Sequence, residues 1–206
     1  MLTPRTRLLT TISSLCTIRE REKAFRIVVR ALRRNAYPAR LFSEIFVHLS
    51  LFLGYPVMLD GLERLAVMKG RRKRSPSTAG GRKADAKKAK EVLRQIYGEQ
   101  SPKLIARLGG LEKGLGTRIT EDAYGAVMTR PGLPLADREL INVVILFIDG
   151  FEPQLYSHLR GAIRVGVKPS ALRSVLVLAA RIAAKDPRPA IEILDRIAHN
   201  PKQGSF

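Results

Sequence analysis

Residues Tyr124 to Gly166 read YGAVMTRPGLPLADRELINVVILFIDGFEPQLYSHLRGAIRVG and set the helical architecture of this 206-residue chain. The segment Leu135 to Asp149 begins with the acids Asp137 and Glu139, which favour a helix N-terminus, and is then almost entirely apolar. The segment Pro153 to Val165 has a proline in its first turn and a glycine just past its end, as helices often do. Two consecutive helices are therefore predicted, the first at the centre of the core.

The same periodicity continues on both sides of this stretch. Val92, Leu93 and Ile96 form one apolar stripe on an otherwise charged segment, and a further stripe follows Pro169. No run of alternating apolar and polar residues is flanked by turns, so strands are not expected. With 45% apolar residues, the sequence predicts an all-α protein with one substantial core or two small ones.

An internal repeat emerges when the chain is laid on itself with Arg7 over Arg138, a shift of 131 residues. Prolines then coincide, Pro38 with Pro169 and Pro56 with Pro187, so both halves begin their later helices at matching places. We predict tandem helical units: a first, degenerate unit over 1–68, a basic flexible linker over 69–85, and a second, more complete unit over 86–206.

Positive charge is concentrated in that linker. The net charge is +19, and the segment from Lys69 to Lys90 holds ten Lys or Arg against one Asp. A basic run of this kind can bind nucleic acid or an acidic surface. No aromatic residue is interleaved to stack on bases, which favours a solvated connector.

Cysteine usage and apolar run length bear on the compartment. Cys16 is the single cysteine, which excludes an intramolecular disulfide and fits the reducing cytoplasm. The first nineteen residues contain Arg, Ser and Thr without an acid, so a mitochondrial transit peptide and a matrix location are the alternative. The longest apolar runs are shorter than the ~18 residues of a bilayer span, so no membrane partner is expected.

Three blocks of the central stretch resemble the signature region of the carboxymuconolactone decarboxylase family. They are RPGL (130–133), DREL (137–140) and EPQLYSHLRGA (152–162), in the family's order and spacing. The resemblance extends from about Ala86 to Arg196. It implies tandem carboxymuconolactone decarboxylase-like units with the alkylhydroperoxidase D-like fold, a homo-oligomer, and a cofactor-independent, metal-free enzyme acting on a small carboxylic acid or lactone.

His158 and Glu139 are the candidate catalytic residues. An imidazole can give and accept protons near neutral pH, as decarboxylation or lactone chemistry requires. The resemblance places Glu139 where many family members have a glutamate thought to work with the histidine. Gly161, three residues after His158, leaves room for a neighbouring helix. The alternative is structural: His158 makes a buried polar contact and Glu139 serves the helix dipole.

Three more side chains are candidates for binding substrate. Arg130 and Arg160 carry guanidinium groups that pair with carboxylates, although most arginines of so basic a chain are surface charges. Tyr124 could donate a hydrogen bond to an oxyanion, or lie at the edge of the core.

Two departures limit what the resemblance implies. The family's peroxidase branch uses a CxxC pair ahead of the histidine, where this chain has Phe151 and Gln154, so a dithiol cycle is excluded. In the first unit, Ile27 stands where His158 stands in the second, so that unit is expected to contribute packing only. The alternative function is a non-catalytic helical scaffold whose basic linker contacts nucleic acid or an acidic partner.

Overall fold

The computed structural model describes residues 2–68 and 85–199, which are helical with no strand among them. The predicted all-α fold is confirmed. The helices are α1 (Pro4–Thr17), α2 (Arg21–Arg33), α3 (Ala39–Met68), α4 (Ala86–Tyr97), a 3₁₀ helix (Gly98–Gln100), α5 (Ser101–Leu111), α6 (Leu115–Arg118), a π-helix (Ile119–Met128), α7 (Leu135–Asp149), α8 (Glu152–Arg164), α9 (Pro169–Ala183) and α10 (Arg188–His199).

Helix α7 lies at the centre of the fold, as its apolar sequence predicts. Every residue from Arg138 to Phe147 is buried, and α7 packs on α1, α8 and α9. Its Ile141 and Ile145 belong to the same apolar cluster as Leu9 of α1 and Phe42 of α3. The N-terminal helices therefore share a core with the C-terminal ones.

The helix bounds reproduce the shift of 131 residues between the two halves of the sequence. Helix α2 spans Arg21–Arg33 and α8 spans Glu152–Arg164, which are 131 residues apart at both ends. The kink of α3 at Gly54 corresponds to the break between α9 and α10. That the units are tandem copies stays a prediction. The predicted linker lies outside the described residues, apart from Asp85, whose carboxylate accepts a hydrogen bond from the Lys88 backbone N–H at the start of α4.

Helix α3 is long and apolar enough to cross a membrane by length and composition alone. Its apolar residues do not form one uninterrupted run, because polar residues such as Glu44 and His48 are spread along the helix, so the length of apolar runs did not indicate a span. Core helices meet the same test, and α3 is interrupted at Gly54 (φ 77°) and buries Glu44 and His48 against protein partners. The absence of a membrane partner stays a prediction.

A buried charge cluster joins α3 to the start of α7. Arg138 is fully buried, and its guanidinium donates to Glu44 Oε2 (3.3 Å) and to the backbone carbonyls of Arg130 (2.9 Å) and Leu133 (3.1 Å). Arg130 completes the cluster with two hydrogen bonds to the Glu44 carboxylate, of 2.9 and 2.8 Å. Burial lowers the pKa of Arg138, and the Glu44 carboxylate opposes that effect.

His48 lies one turn after Glu44 and is also fully buried. Its Nδ1 is 3.3 Å from Arg138 Nη1, and its Nε2 is 2.7 Å from Asn142 Oδ1. Burial, followed by the positive charge of Arg138, lowers the pKa of His48 to about 3. The ring is therefore neutral near neutral pH.

Removing the carboxylate of Glu44 should strongly destabilise the fold. In Glu44→Ala the guanidinium of Arg138 stays buried without its counter-ion, which costs about 3–5 kcal/mol. Urea denaturation measures the free energy of unfolding. Glu63→Ala, which removes an exposed carboxylate from the same helix, should stay within about 0.5 kcal/mol of the wild type. Equal effects of the two substitutions would contradict the structural role of the cluster.

The neutral, buried His48 should make stability depend on pH. Its pKa in the folded state, about 3, lies below the ~6.5 of an unfolded chain, so its contribution is complete above about pH 6.5 and is lost as the pH falls from there towards 3. The loss is on the order of 1 kcal/mol per pH unit.

Urea denaturation at several pH values between about 6.5 and 4 tests this prediction. His48→Gln cannot titrate there and should show a shallower fall of the unfolding free energy. His199→Gln removes an exposed histidine and should keep the wild-type slope. The same slope in His48→Gln and in the wild type would show that His48 is not the group responsible.

Candidate active site

The structure brings together the two residues that the sequence nominated for catalysis. His158 on α8 faces α7, and its Nδ1 lies 2.9 Å from Glu139 Oε2. The Glu139 side chain is fully buried, whereas 12% of the His158 side chain is exposed. A glutamate that only served the helix dipole would have no need of such burial.

Gly161 permits this approach. A Cβ atom at position 161 would lie 2.8 Å from Glu139 Oε2 and 2.5 Å from Cγ2 of Ile96. Both distances are too short for carbon, so the glycine makes room for the carboxylate and for helix α4. The sequence argument that Gly161 admits a neighbouring helix beside His158 is confirmed.

Sequence reasoning missed Asn142, which connects this pair to His48. Its Nδ2 donates to Glu139 Oε1 (3.1 Å) and lies 3.3 Å from His158 Nδ1, while its Oδ1 is the atom facing His48. The available signal was a polar residue inside an otherwise apolar helical run: Asn142 in LINVVILFI, and Glu44 with His48 in LFSEIFVHLS. Buried polar side chains in such runs need partners.

Two aromatic rings stand edge-on to the imidazole of His158. Phe52 of α3 and Tyr97 of α4 each lie with their centroid 6.3 Å from it. The hydroxyl of Tyr97 forms a 2.6 Å hydrogen bond with that of Tyr124, on the π-helix. Burial raises the pKa of both phenols well above the usual value, and the charge of Glu139 adds to the rise. Tyr124 is therefore a neutral phenol close to the pair.

The two candidate arginines contact other side chains of the protein. Arg130 is 42% exposed on its side chain, and its guanidinium pairs with Glu44. Arg160 lies over the ring of Tyr156, 5.8 Å from its centroid. Because residues two apart on a helix point to different sides, it does not share the face of His158.

The environment of Cys16 and the grouping of possible metal ligands bear on thiol chemistry and on metal binding. Cys16 is buried, and burial raises its pKa to about 12, so the thiolate is strongly disfavoured. Within residues 2–68 and 85–199, no three His, Cys, Asp or Glu side chains are grouped so that they could hold a metal ion.

The pair has a defined capacity for proton transfer. When the Glu139 carboxylate accepts the hydrogen bond from Nδ1–H of His158, the Nε2 atom of the ring holds the lone pair and can accept a proton. A partly exposed imidazole oriented by a buried carboxylate is the arrangement used by general acids and bases.

Comparison with known proteins agrees with the motifs. The model of the carboxymuconolactone decarboxylase family matches residues 117–188, which run from α6 to the start of α10 and include both Glu139 and His158. The chain is also similar to the 4-carboxymuconolactone decarboxylase of Acinetobacter baylyi, with 29% identity over 92 residues, or 44% of this chain and 69% of that protein. Through these residues, the chain is similar to the carboxymuconolactone decarboxylase family.

Proposed function

We propose that this protein is a carboxymuconolactone decarboxylase-like enzyme that acts on a small carboxylic acid or lactone by proton transfer, with His158 as the proton-transfer group and Glu139 as its orienting partner. The observation that carries the proposal is the 2.9 Å contact between His158 Nδ1 and the fully buried Glu139 Oε2. A histidine with a merely structural role has no need of a buried carboxylate on one nitrogen and partial exposure of its ring.

Decarboxylation requires one proton to be delivered to the substrate. Loss of CO₂ breaks a carbon–carbon bond and leaves an electron pair, which a conjugated lactone carbonyl can delocalise. The protonated imidazole of His158 would supply the proton that this electron pair takes up, and the ring would regain a proton from water. Glu139 accepts the hydrogen bond of Nδ1–H and so holds the ring with Nδ1 towards α7.

Two aromatic rings and a pair of neutral hydroxyl groups lie near the imidazole of His158. The rings of Phe52 and Tyr97 contact His158 edge-on, and apolar neighbours of this kind strengthen electrostatic interactions by excluding water. The hydroxyl pair of Tyr97 and Tyr124 adds neutral hydrogen-bonding groups close to Glu139. The guanidinium of Arg130 pairs with Glu44, so its part in binding a substrate carboxylate is a secondary element of the proposal.

The name of the Acinetobacter baylyi relative indicates the first substrate to test. 4-Carboxymuconolactone, from the name of the Acinetobacter baylyi enzyme, carries both a carboxylate and a lactone. Purified protein is incubated with this compound, and CO₂ release is followed. Turnover is expected to require no added metal or cofactor.

His158→Gln should lower kcat by about 10²–10⁴-fold, the usual contribution of general acid–base catalysis, with little change in the thermal unfolding midpoint. Glu139→Gln keeps the shape of the side chain but removes its charge, and is expected to lower kcat as well. His199→Gln, an exposed histidine outside the site, is the matched control. Undiminished turnover in a folded His158→Gln protein would refute the proposal.

A further inference from the structure

We propose that His48 and Asn142 are positioning residues that hold Glu139 and His158 in the geometry for proton transfer, so that the N-terminal helices take part in the site. This inference rests on the proposed function for its consequence in catalysis. The hydrogen-bond chain that carries it runs from Arg138 through His48 and Asn142 to Glu139 and His158.

The direction of each hydrogen bond follows from Glu139. A carboxylate oxygen only accepts, so the group of Asn142 that lies 3.1 Å from Glu139 Oε1 must be the amide N–H. The amide oxygen of Asn142 then faces His48 at 2.7 Å and must accept. His48 therefore carries its proton on Nε2.

The other nitrogen of His48 completes the chain. With the proton on Nε2, Nδ1 has a free lone pair and accepts from Arg138 Nη1, 3.3 Å away. A guanidinium cannot accept, so this assignment agrees with the one reached from Glu139. Every N–H in the chain points towards Glu139, whose two oxygens receive the hydrogen bonds of Asn142 and His158.

This polarity has a consequence for His158. Glu139 is held from behind by Asn142, so its second oxygen is fixed in front of His158 Nδ1 and selects the Nδ1–H form of that ring. The Nε2 atom is then the one available to substrate. Losing the contact between Asn142 and His48 would free the amide to rotate, and with it the carboxylate.

The N-terminal unit supplies one face of a single helix to this arrangement. Glu44, His48 and Phe52 are spaced four residues apart on α3, so they lie on one side of it. Glu44 neutralises Arg138, His48 continues the chain, and Phe52 contacts the imidazole of His158. The first unit was expected to contribute packing only, and these three side chains make polar and aromatic contacts as well.

Nitrogen-15 NMR of the imidazole rings tests the chain without any substrate. The protein has three histidines, and His199→Gln and His48→Gln assign their signals. At about pH 8 the wild-type protein is expected to show His48 protonated on Nε2 and His158 on Nδ1. A His48 ring protonated on Nδ1 would overturn the proposal, and so would a His158 ring protonated on Nε2.

Substitutions then test whether the chain positions the site. His48→Leu removes the donor to Asn142, and Asn142→Leu removes the link itself. Each is expected to change the His158 ring signals and to lower kcat by about 10²-fold, the cost of a misplacement of about 1 Å, with KM nearly unchanged. His48→Gln still offers an N–H to Asn142 and should have a higher kcat than His48→Leu.

The results separate the positioning role from the function itself. Unchanged His158 signals in a folded His48→Leu protein overturn the proposal, whatever the turnover. Failure of the wild type to act on 4-carboxymuconolactone overturns the function and leaves the NMR test of the chain intact. If the leucine variants do not fold, the wild-type ring protonation and the comparison of His48→Gln with the His199→Gln control decide the matter.

Discussion

The burial of the Arg138 guanidinium is the constraint from which the site follows. A charge with no exposure must be paired and hydrogen-bonded, and the structure supplies the Glu44 carboxylate and two backbone carbonyls. Glu44 lies on α3 and Arg138 on α7, so the ion pair sets the register in which the two helices meet. His48 and Phe52 then fall, one and two turns further along α3, beside Asn142 and His158.

Close approach between helices completes the site from the other side. Gly161 lets α8 come so near to α7 and α4 that the Glu139 carboxylate occupies the place of its missing side chain. This contact puts the fully buried carboxylate of Glu139 against the partly exposed imidazole of His158. A group of the core therefore fixes the orientation of the ring. The buried carboxylate and the partly exposed ring therefore belong to different side chains.

The pattern of apolar residues was sufficient to predict the helices and the central position of α7, because 3.6-residue periodicity and helix-end residues are local properties. The pairing of His158 with Glu139 was proposed from chemistry and from the resemblance, and the structure brings the two together. Arg130 and Arg160 illustrate the limit of such reasoning. A guanidinium suits a substrate carboxylate as well as a protein one, and here Glu44 holds the first while Tyr156 lies under the second.

From its residues alone, this chain specified an all-helical fold, the family signature over its second half, and the absence of a dithiol ahead of the histidine, since each of these depends on residue type and spacing. The three-dimensional arrangement decided which residues form the hydrogen-bond network that leads to His158. Glu44 and His48 are separated from Asn142 by more than ninety positions. Helix packing determines which buried polar groups can satisfy one another across such a distance, because their partners must lie within hydrogen-bonding reach in space.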